Sequence, residues 1–412
     1  MGVFMTKLFK RKIIDEIQDY LFTDDVIVLH GARQVGKTSI LYWLKNFLSR
    51  RKEIVYYVDL EDFRFVKILN QGIDSFVDHL REEGIYNEKV RINSEKIYVF
   101  IDEIQYLNDP SSFLKLTADH HKFLKLIVTG SSSFDIQSKF KDSLVGRTVD
   151  FEIFNLSFSE FLEFKEYVFY EEDVFSDKKI EELRNLFSEY VLYGGYPKIV
   201  LSPEVHRKEK YLQQIIDTYV RKDIRDLADV KDINKFNKLV EILASQSGNL
   251  LNVTELSNTC GTAKQTVERY LFILENTYIL KQVRPYHKNI RSELFKVPKI
   301  FFYDSGLMQM LWLKKLQKEV LGNVFETAIF SELVKKYHKD SVLYWRTTDK
   351  REIDFILRDK NVILPIEVKL NFQQFNPSSV QYFNRKYNNT KYKVVGLKGN
   401  CKEKFHVYPW QL

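Results

Sequence analysis

Four short, nearly continuous apolar runs mark the first third of the chain: "VIVL" (26–29), "IVYYVDL" (54–60), "IYVFI" (97–101) and "LKLIVTG" (124–130). Longer stretches with helical periodicity separate them. A strand buried on both faces loses the polar–apolar alternation of a half-exposed strand, so this rhythm predicts an α/β unit with a parallel sheet covered by helices on both sides. The opening "MGVFMTKLFKRKIIDEIQDYL" reads as an amphipathic helix leading into the first run. It has a basic start but neither a long apolar core nor a cleavage site, and no run approaches the roughly 18 residues a membrane helix needs. No membrane partner is expected.

The pattern changes further along. Residues 165–245 are rich in helix formers and charge, with Gly194, Gly195 and Pro197 breaking the run and "YEEDVFSDKKIEE" (170–182) as a solvated connector; a helical lid is expected. Residues 250–285 have a helix-turn-helix rhythm. Thr254 is placed to cap a short helix containing Leu256, Gly261 to make the turn, and Thr262 or Ala263 to begin a longer helix with Val267, Leu271 and Leu274 on one face. "YILKQVRPYHKN" and "KIFFYDSGL" then read as two strands of a wing. Near the end, Phe325, Ile329 and Leu333 keep helical spacing, whereas "REIDFIL" and "PIEVKL" alternate as strands. The 412 residues exceed one ordinary core. The expected division is a parallel-sheet core over 1–165, a helical lid over 166–245, a winged helix-turn-helix over 246–312 and a C-terminal α/β domain over 313–412.

The segment after the first strand carries chemistry. Gly31, Ala32, Arg33, Gln34, Val35, Gly36, Lys37, Thr38 and Ser39 include GxxxxGK[ST] between a strand and a helix, the context in which that motif cradles phosphates. The glycines let backbone N–H groups turn toward phosphate oxygens, and the helix beginning near Lys37 adds its positive end. Lys37 is expected to neutralise the β- and γ-phosphates of ATP, and Thr38 to offer its hydroxyl to Mg2+. The third apolar run ends in Asp102 and Glu103, two carboxylates at the end of a buried strand. Asp102 is the expected partner of Mg2+ through water, and Glu103 the group that polarises the attacking water, which points to hydrolysis. The fourth run ends in "VTGSSS", placing Ser131 or Ser132 near the γ-phosphate or the lytic water.

These features, followed by "SLVGRT", "LSFSEF" (156–161), "YGGYP" (193–197) and "YVRKDI" (219–224), resemble the AAA-type ATPases of archaea and bacteria that carry a C-terminal domain of unknown function. The resemblance spans nearly the whole chain. It implies that Arg147 is a γ-phosphate contact, in cis or from a neighbouring subunit, and that the protein forms a homo-oligomer, a ring or dimer.

Charge is unevenly spread. Residues 311–412 carry 19 Lys and Arg against 10 Asp and Glu, whereas residues 1–240 carry 36 against 40. The basic excess at the end favours a polyanionic partner there. On the longer helix of the helix-turn-helix segment, Lys264, Gln265, Thr266 and Arg269 lie opposite the apolar face, side chains suited to phosphates and base edges of DNA. In the two late strands Asp354 alternates with Ile353 and Phe355, and Glu367 and Lys369 share a face. Pairing those strands brings Asp354, Glu367 and Lys369 together: two carboxylates to bind Mg2+, and a lysine to orient water and offset phosphate charge. The segment resembles the PD-(D/E)xK nuclease fold, also called restriction-endonuclease-like, with Glu326 matching its first-helix acid; Glu352 is a further candidate ligand.

Cys260 and Cys401 are the only cysteines, which gives no disulfide framework and fits a reducing cytoplasm. Together these features lead to the expectation of a cytoplasmic ATPase acting on duplex or branched DNA. The competing readings are an ATP-dependent regulatory or defence switch that binds DNA or protein without cutting, and a protein acting on RNA.

Overall fold

The computed structural model describes residues 7–93, 95–130, 144–168, 176–224, 230, 232–287, 297–359, 362–401 and 403–412. The chain divides into two compact units, residues 1–154 and 155–412. Among the described residues no helix is long and apolar enough to cross a membrane.

The first unit holds strands β1 (Val26–Gly31), β2 (Ile54–Asp59), β3 (Ile97–Asp102), β4 (Leu124–Gly130) and β5 (Thr148–Ile153). They form one sheet in the order β2-β3-β4-β1-β5, with every pair parallel. The central three, β1, β3 and β4, are buried along their whole length, which is why their sequences read as unbroken apolar runs. The helix Lys37–Arg50 buries Ile40, Leu41, Leu44 and Leu48. Phe76, Leu80, Phe113 and Leu114, from two other helices, share a core with Val58, Val99, Ile101, Leu126 and Val128 of the sheet. Each such side chain stabilises the unit by about 1.5–3 kcal/mol through removal from water.

The apolar-run criterion does not find β5. "TVDFEI" alternates, and only Phe151 and Ile153 are buried, as befits an edge strand. β5 nevertheless constrains its neighbour closely: a methyl group at Gly31 would collide with the carbonyl oxygen of Ile153. The sheet also sets up its own upper edge. β4 lies between β1 and β3, so the loop after β1 and the carboxylates ending β3 face each other across the end of β4.

The second unit opens with helices. The sequence suggested separate lid, helix-turn-helix and C-terminal domains, yet they group as one unit, and the helix Ser305–Leu313 shows why. This helix, from the helix-turn-helix segment, is buried from Ser305 through Leu311 and packs against the helices Asp177–Tyr193 and Ile233–Ser245 of the lid segment and Gly322–Lys336 of the C-terminal one. The "YGGYP" segment belongs to this core, since Asp304 accepts hydrogen bonds from the backbone N–H of Gly195 (2.8 Å) and of Leu307 (2.8 Å).

The helices Val253–Cys260 and Lys264–Asn276 flank Gly261, whose φ of 61° lies in the left-handed region that glycine occupies without strain. The first helix is capped by Asn252, which accepts from the Glu255 N–H, two residues before the expected Thr254. Val267, Leu271 and Leu274 are buried as their spacing predicts. Strands β6 (Leu280–Val283) and β7 (Lys299–Phe302) follow as an antiparallel pair.

A mixed sheet completes the unit: β8 (Val342–Arg346), β9 (Glu352–Asp359), β10 (Val362–Asn371), β11 (Lys393–Lys398) and β12 (His406–Val407), in the order β12-β11-β10-β9-β8. β8, β9 and β10 run antiparallel in succession, and β10, β11 and β12 run parallel. The helix Gly322–Lys336 buries Phe325, Ile329 and Leu333, as their spacing predicts. Val380 and Phe383 of the helix Ser378–Tyr387 pack with Leu343, Trp345, Ile353 and Ile356.

Candidate functional site

At the end of β1 the chain turns through Gln34 (φ 62°) and Gly36 (φ 100°) before the helix Lys37–Arg50 begins. The N-cap residue, Gly36, makes no side-chain cap, so among the described residues the first N–H groups are open to a ligand or solvent. Lys37 is buried, and its ammonium donates to the carbonyl oxygens of Gly31 (3.0 Å) and Ala32 (2.8 Å). Burial pushes its pKa down to about 8, against the opposing pull of Glu103 and Asp102. A phosphate placed here would take over from those carbonyls and favour the charged form.

Asp102 is the hub of the opposite wall. Its Oδ2 accepts from the Thr38 hydroxyl (2.7 Å) and the Tyr57 hydroxyl (3.1 Å), while its Oδ1 accepts from the Thr129 hydroxyl. Thr129 in turn accepts from the Glu103 N–H at 3.0 Å. Glu103 sits at φ 58°, a costly conformation for a residue other than glycine, and its carboxylate accepts from the Gln105 amide. Thr38 and Asp102 supply a hydroxyl and a carboxylate oxygen within hydrogen-bond reach of each other. That hard-oxygen pair fits Mg2+, which keeps several waters and takes phosphate oxygens as further ligands.

Three residues of this site carry no sequence signal. Tyr57 and Thr129 orient Asp102, and burial followed by the charge of Asp102 raises the Tyr57 phenol well above its ordinary pKa, keeping it a donor. Arg11 is buried and donates to the Val35 carbonyl at 2.8 Å, holding the phosphate loop from behind. Ser39 is exposed and Arg33 partly so. Ser131 lies outside the described residues, as does Ser132.

Arg147 departs from the expectation of a contact in cis. Thr148 pairs with Val26 and Ile153 with Gly31, so Arg147 lies at the opposite edge of the sheet from its own phosphate loop. The length of β1, roughly 16 Å at about 3.3 Å per residue, separates them. Its Nε pairs with Asp119 at 2.6 Å.

In the second unit the strand register delivers the expected convergence. Ile366 pairs with Phe355, which puts Asp354 beside Glu367. The Lys369 ammonium donates to Asp354 Oδ2 (2.8 Å) and Glu367 Oε2 (2.6 Å), and Asp354 Oδ2 also accepts from the Val368 N–H (2.7 Å). Burial, and then the Asp354 charge, pushes Glu367 up to about 8. Burial opposes the charge of Lys369, but Asp354 and Glu367 outweigh it and shift its pKa upward. Glu326 is likewise pushed up to about 8, by burial first and then by Asp354. Its Oε1 is shut off from solvent and, among the described residues, accepts no hydrogen bond.

The structure therefore places an ammonium between the two carboxylates that the sequence assigned to a divalent ion. Among the described residues no group of three or more His, Cys, Asp and Glu side chains is arranged to hold a metal. A second lysine joins from outside the motif. Lys299 of β7, buried, stands 2.5 Å from Glu352 and 3.7 Å from Glu326, and Arg346 reaches Glu352 at 3.2 Å. Lys264, Gln265 and Arg269 are exposed on their helix, with Thr266 partly so.

Comparison with known proteins covers most of the chain in three pieces. Residues 23–162 match the family described as AAA domain, residues 184–319 a domain of unknown function (DUF8612) and residues 321–411 a second one (DUF4143). An uncharacterized protein of Haemophilus influenzae is 28% identical over 367 residues, 87% of this chain and 86% of that protein. An uncharacterized protein of Methanocaldococcus jannaschii is 24% identical over 359 residues, 85% and 76% of the two chains. Among solved structures, the ORC2 protein of Aeropyrum pernix in its ADP form aligns with a TM-score of 0.35 and 11% identity, covering 66% of this chain and 85% of its own. The replication initiator DnaA bound to AMPPCP and single-stranded DNA aligns with a TM-score of 0.29 and 16% identity, covering 64% and 86%. The AAA-domain match, with the loop and carboxylate geometry above, identifies the first unit as the core of a P-loop ATPase.

Proposed function

We propose that the chain is an ATP-driven protein acting on DNA, with residues 1–165 hydrolysing ATP, 166–245 as its lid, 246–312 engaging DNA as a winged helix and 313–412 cutting it as a PD-(D/E)xK-like nuclease. The observation that carries the nuclease part is the joining of Asp354, Glu367 and Lys369 from adjacent strands on one face.

In the ATPase site Lys37 would exchange its two carbonyl partners for the β- and γ-phosphates, and the N–H groups at the helix start would hold the oxygens between them. Thr38 and Asp102 would hold Mg2+, which supplies charge neutralisation on the triphosphate. Glu103, directly after Asp102, would take the proton of the attacking water. Self-association would allow Arg147, remote from its own loop, to serve the loop of a neighbouring subunit.

In the C-terminal site Asp354 and Glu367 would hold Mg2+, which supplies Lewis-acid stabilisation to the phosphodiester. Lys369 would leave the carboxylates to face the scissile phosphate and its water. Lys264, Gln265, Thr266 and Arg269 would contact the duplex from the helix.

The test is a cleavage and binding panel over duplex, branched and single-stranded DNA and RNA, with Mg2+ or Mn2+, with and without ATP. Cutting that Asp354→Ala abolishes while ATP hydrolysis persists is the expected result. Nucleic acid bound but never cut would leave the competing reading, a switch, which the self-neutralised state of the Asp354–Lys369–Glu367 cluster favours.

A further inference from the structure

Asp102 is buried, and hydroxyl groups from three different elements converge on its carboxylate. Thr38 and Tyr57 both donate to Oδ2, at 2.7 and 3.1 Å, and Thr129 donates to Oδ1. We propose that Tyr57, braced by Tyr42, is a positioning residue for the divalent ion. It keeps Asp102 aimed at the metal once Thr38 has let go, and so sets how much Mg2+ adds to nucleotide affinity. The inference rests on the reading that Thr38 and Asp102 hold Mg2+.

A carboxylate offers about four acceptor positions, two on each oxygen. Thr38 and Tyr57 fill both positions of Oδ2. When the Thr38 hydroxyl turns to a metal ion it vacates one of them, on the side where Thr38 stands. A carboxylate held at one oxygen alone can swing about that bond. With Thr129 on Oδ1 and Tyr57 on Oδ2 it is held at both, and the vacated position keeps facing the loop. Tyr57 therefore matters most in the loaded state, as the hydroxyl that remains on Oδ2.

The side chain at this position has to be long. Tyr57 pairs with Phe100, two residues before Asp102 on β3, so its hydroxyl must travel about 6.6 Å along the sheet at roughly 3.3 Å per residue. A tyrosine spans that distance, and a serine or threonine does not. β2 lies at the edge of the sheet, so among the described residues no further strand supports the ring from outside. The helix Lys37–Arg50 does so instead. The Tyr42 ring stacks on the Tyr57 ring with centroids 4.8 Å apart and planes 18° from parallel, and the Lys45 ammonium stands 5.8 Å from the Tyr57 centroid. Tyr42 follows Thr38 by four residues, so both lie on one face of that helix. One helix face thus places both donors of Oδ2, Thr38 directly and Tyr57 through the stack. Tyr42 itself is 40% exposed, more than a ring that only fills a core would be.

The experiment uses the full-length protein and its Tyr57→Phe, Tyr42→Ala and Asp102→Asn variants. Calorimetry measures affinity for a non-hydrolysable ATP analogue in EDTA and in excess Mg2+, and the ratio of the two is the contribution of the metal. Tyr57→Phe keeps the stacked ring and removes only the hydroxyl. It should leave binding in EDTA within about twofold of the parent and cut the Mg2+ contribution by about tenfold, the scale of one hydrogen bond to a charged group. Tyr42→Ala should cut it by about threefold, since the hydroxyl stays and only its brace is lost. Half-maximal hydrolysis should need correspondingly more Mg2+ in both variants. A parental Mg2+ contribution in Tyr57→Phe, with that of Asp102→Asn reduced, overturns the proposal and leaves the metal reading standing. A parental value in Asp102→Asn as well removes the metal reading with it. Equal losses in EDTA and in Mg2+ would assign the Tyr57 hydroxyl to the fold or the nucleotide loop, and likewise overturn the proposal. Should Tyr57→Phe fold poorly, Tyr42→Ala decides: an unchanged Mg2+ contribution there overturns the proposal.

Discussion

Lys37 and Lys369 are both largely buried lysines close to two carboxylates, and they are held in opposite ways. Lys37 rests on two backbone carbonyls, with Asp102 and Glu103 acting on it only through their field. Its charge is poorly compensated, which is why its pKa falls. Lys369 donates directly to Asp354 and Glu367, and its pKa rises. The first site is an unsatisfied cation set for an anion. The second is neutralised from within, so any ligand there must compete with a lysine already in place. Burying an uncompensated charge costs stability at the first site, whereas at the second direct pairing offsets that cost.

The largest expected effect follows from exchanging these roles. Lys37→Ala should lower ATP hydrolysis by about 100-fold or more, measured as phosphate release, without lowering the unfolding midpoint, because an undercompensated buried charge has been removed. Lys369→Met should do the reverse to the fold. It leaves Asp354 and Glu367 facing each other and is expected to cost about 3 kcal/mol in urea unfolding near pH 8. Equal stability losses in the two variants would erase the contrast.

A smaller effect concerns pH and nucleotide. Free Lys37 loses its proton near pH 8, whereas a phosphate requires the charged form. ATP affinity should therefore weaken by about tenfold per pH unit above about 8, read by calorimetry. A flat profile to pH 9.5 would mean that the lysine is charged without its phosphate.

The smallest effect belongs to Glu326. Its folded pKa of about 8 lies above its ordinary value of 4.5, so the folded state holds the proton more tightly than the unfolded chain. That stabilisation is complete below about pH 4.5 and is lost as pH rises through about 8. Glu326→Gln should flatten the decline over that window without abolishing it, because Glu367 carries a shift in the same direction. A decline as steep as that of the parent protein would show that Glu326 does not contribute to it.

The parts of these sites legible in the sequence are those whose chemistry needs neighbouring residues. Gly31 to Thr38 form one loop because the phosphates are bound by consecutive N–H groups, and Asp102 follows an apolar run because a buried strand must end before its acid emerges. Glu367 and Lys369 share a face by alternation alone, and Asp354 needed only one pairing step to join them. What the sequence withheld depends on contacts between distant segments. Tyr57 and Thr129 reach Asp102 from β2 and β4, Arg11 reaches Val35 from before the sheet, and Lys299 enters the carboxylate cluster from β7. No spacing rule links such positions. Arg147 shows the converse: the family resemblance implied a γ-phosphate contact in cis or from a neighbouring subunit, and the direction of β5 carries it to the far edge from its own loop.

Gly31 gives the signature loop a divided meaning. Its missing side chain is demanded by the Ile153 carbonyl next door, whatever the loop binds. Exchanging it for alanine would dislodge an edge strand and take catalysis down by damaging the scaffold, whereas losing Lys37 would leave the scaffold whole and the pocket inert. Two inactive enzymes altered within one short motif would thus have failed for unrelated reasons, and a folding assay would tell them apart.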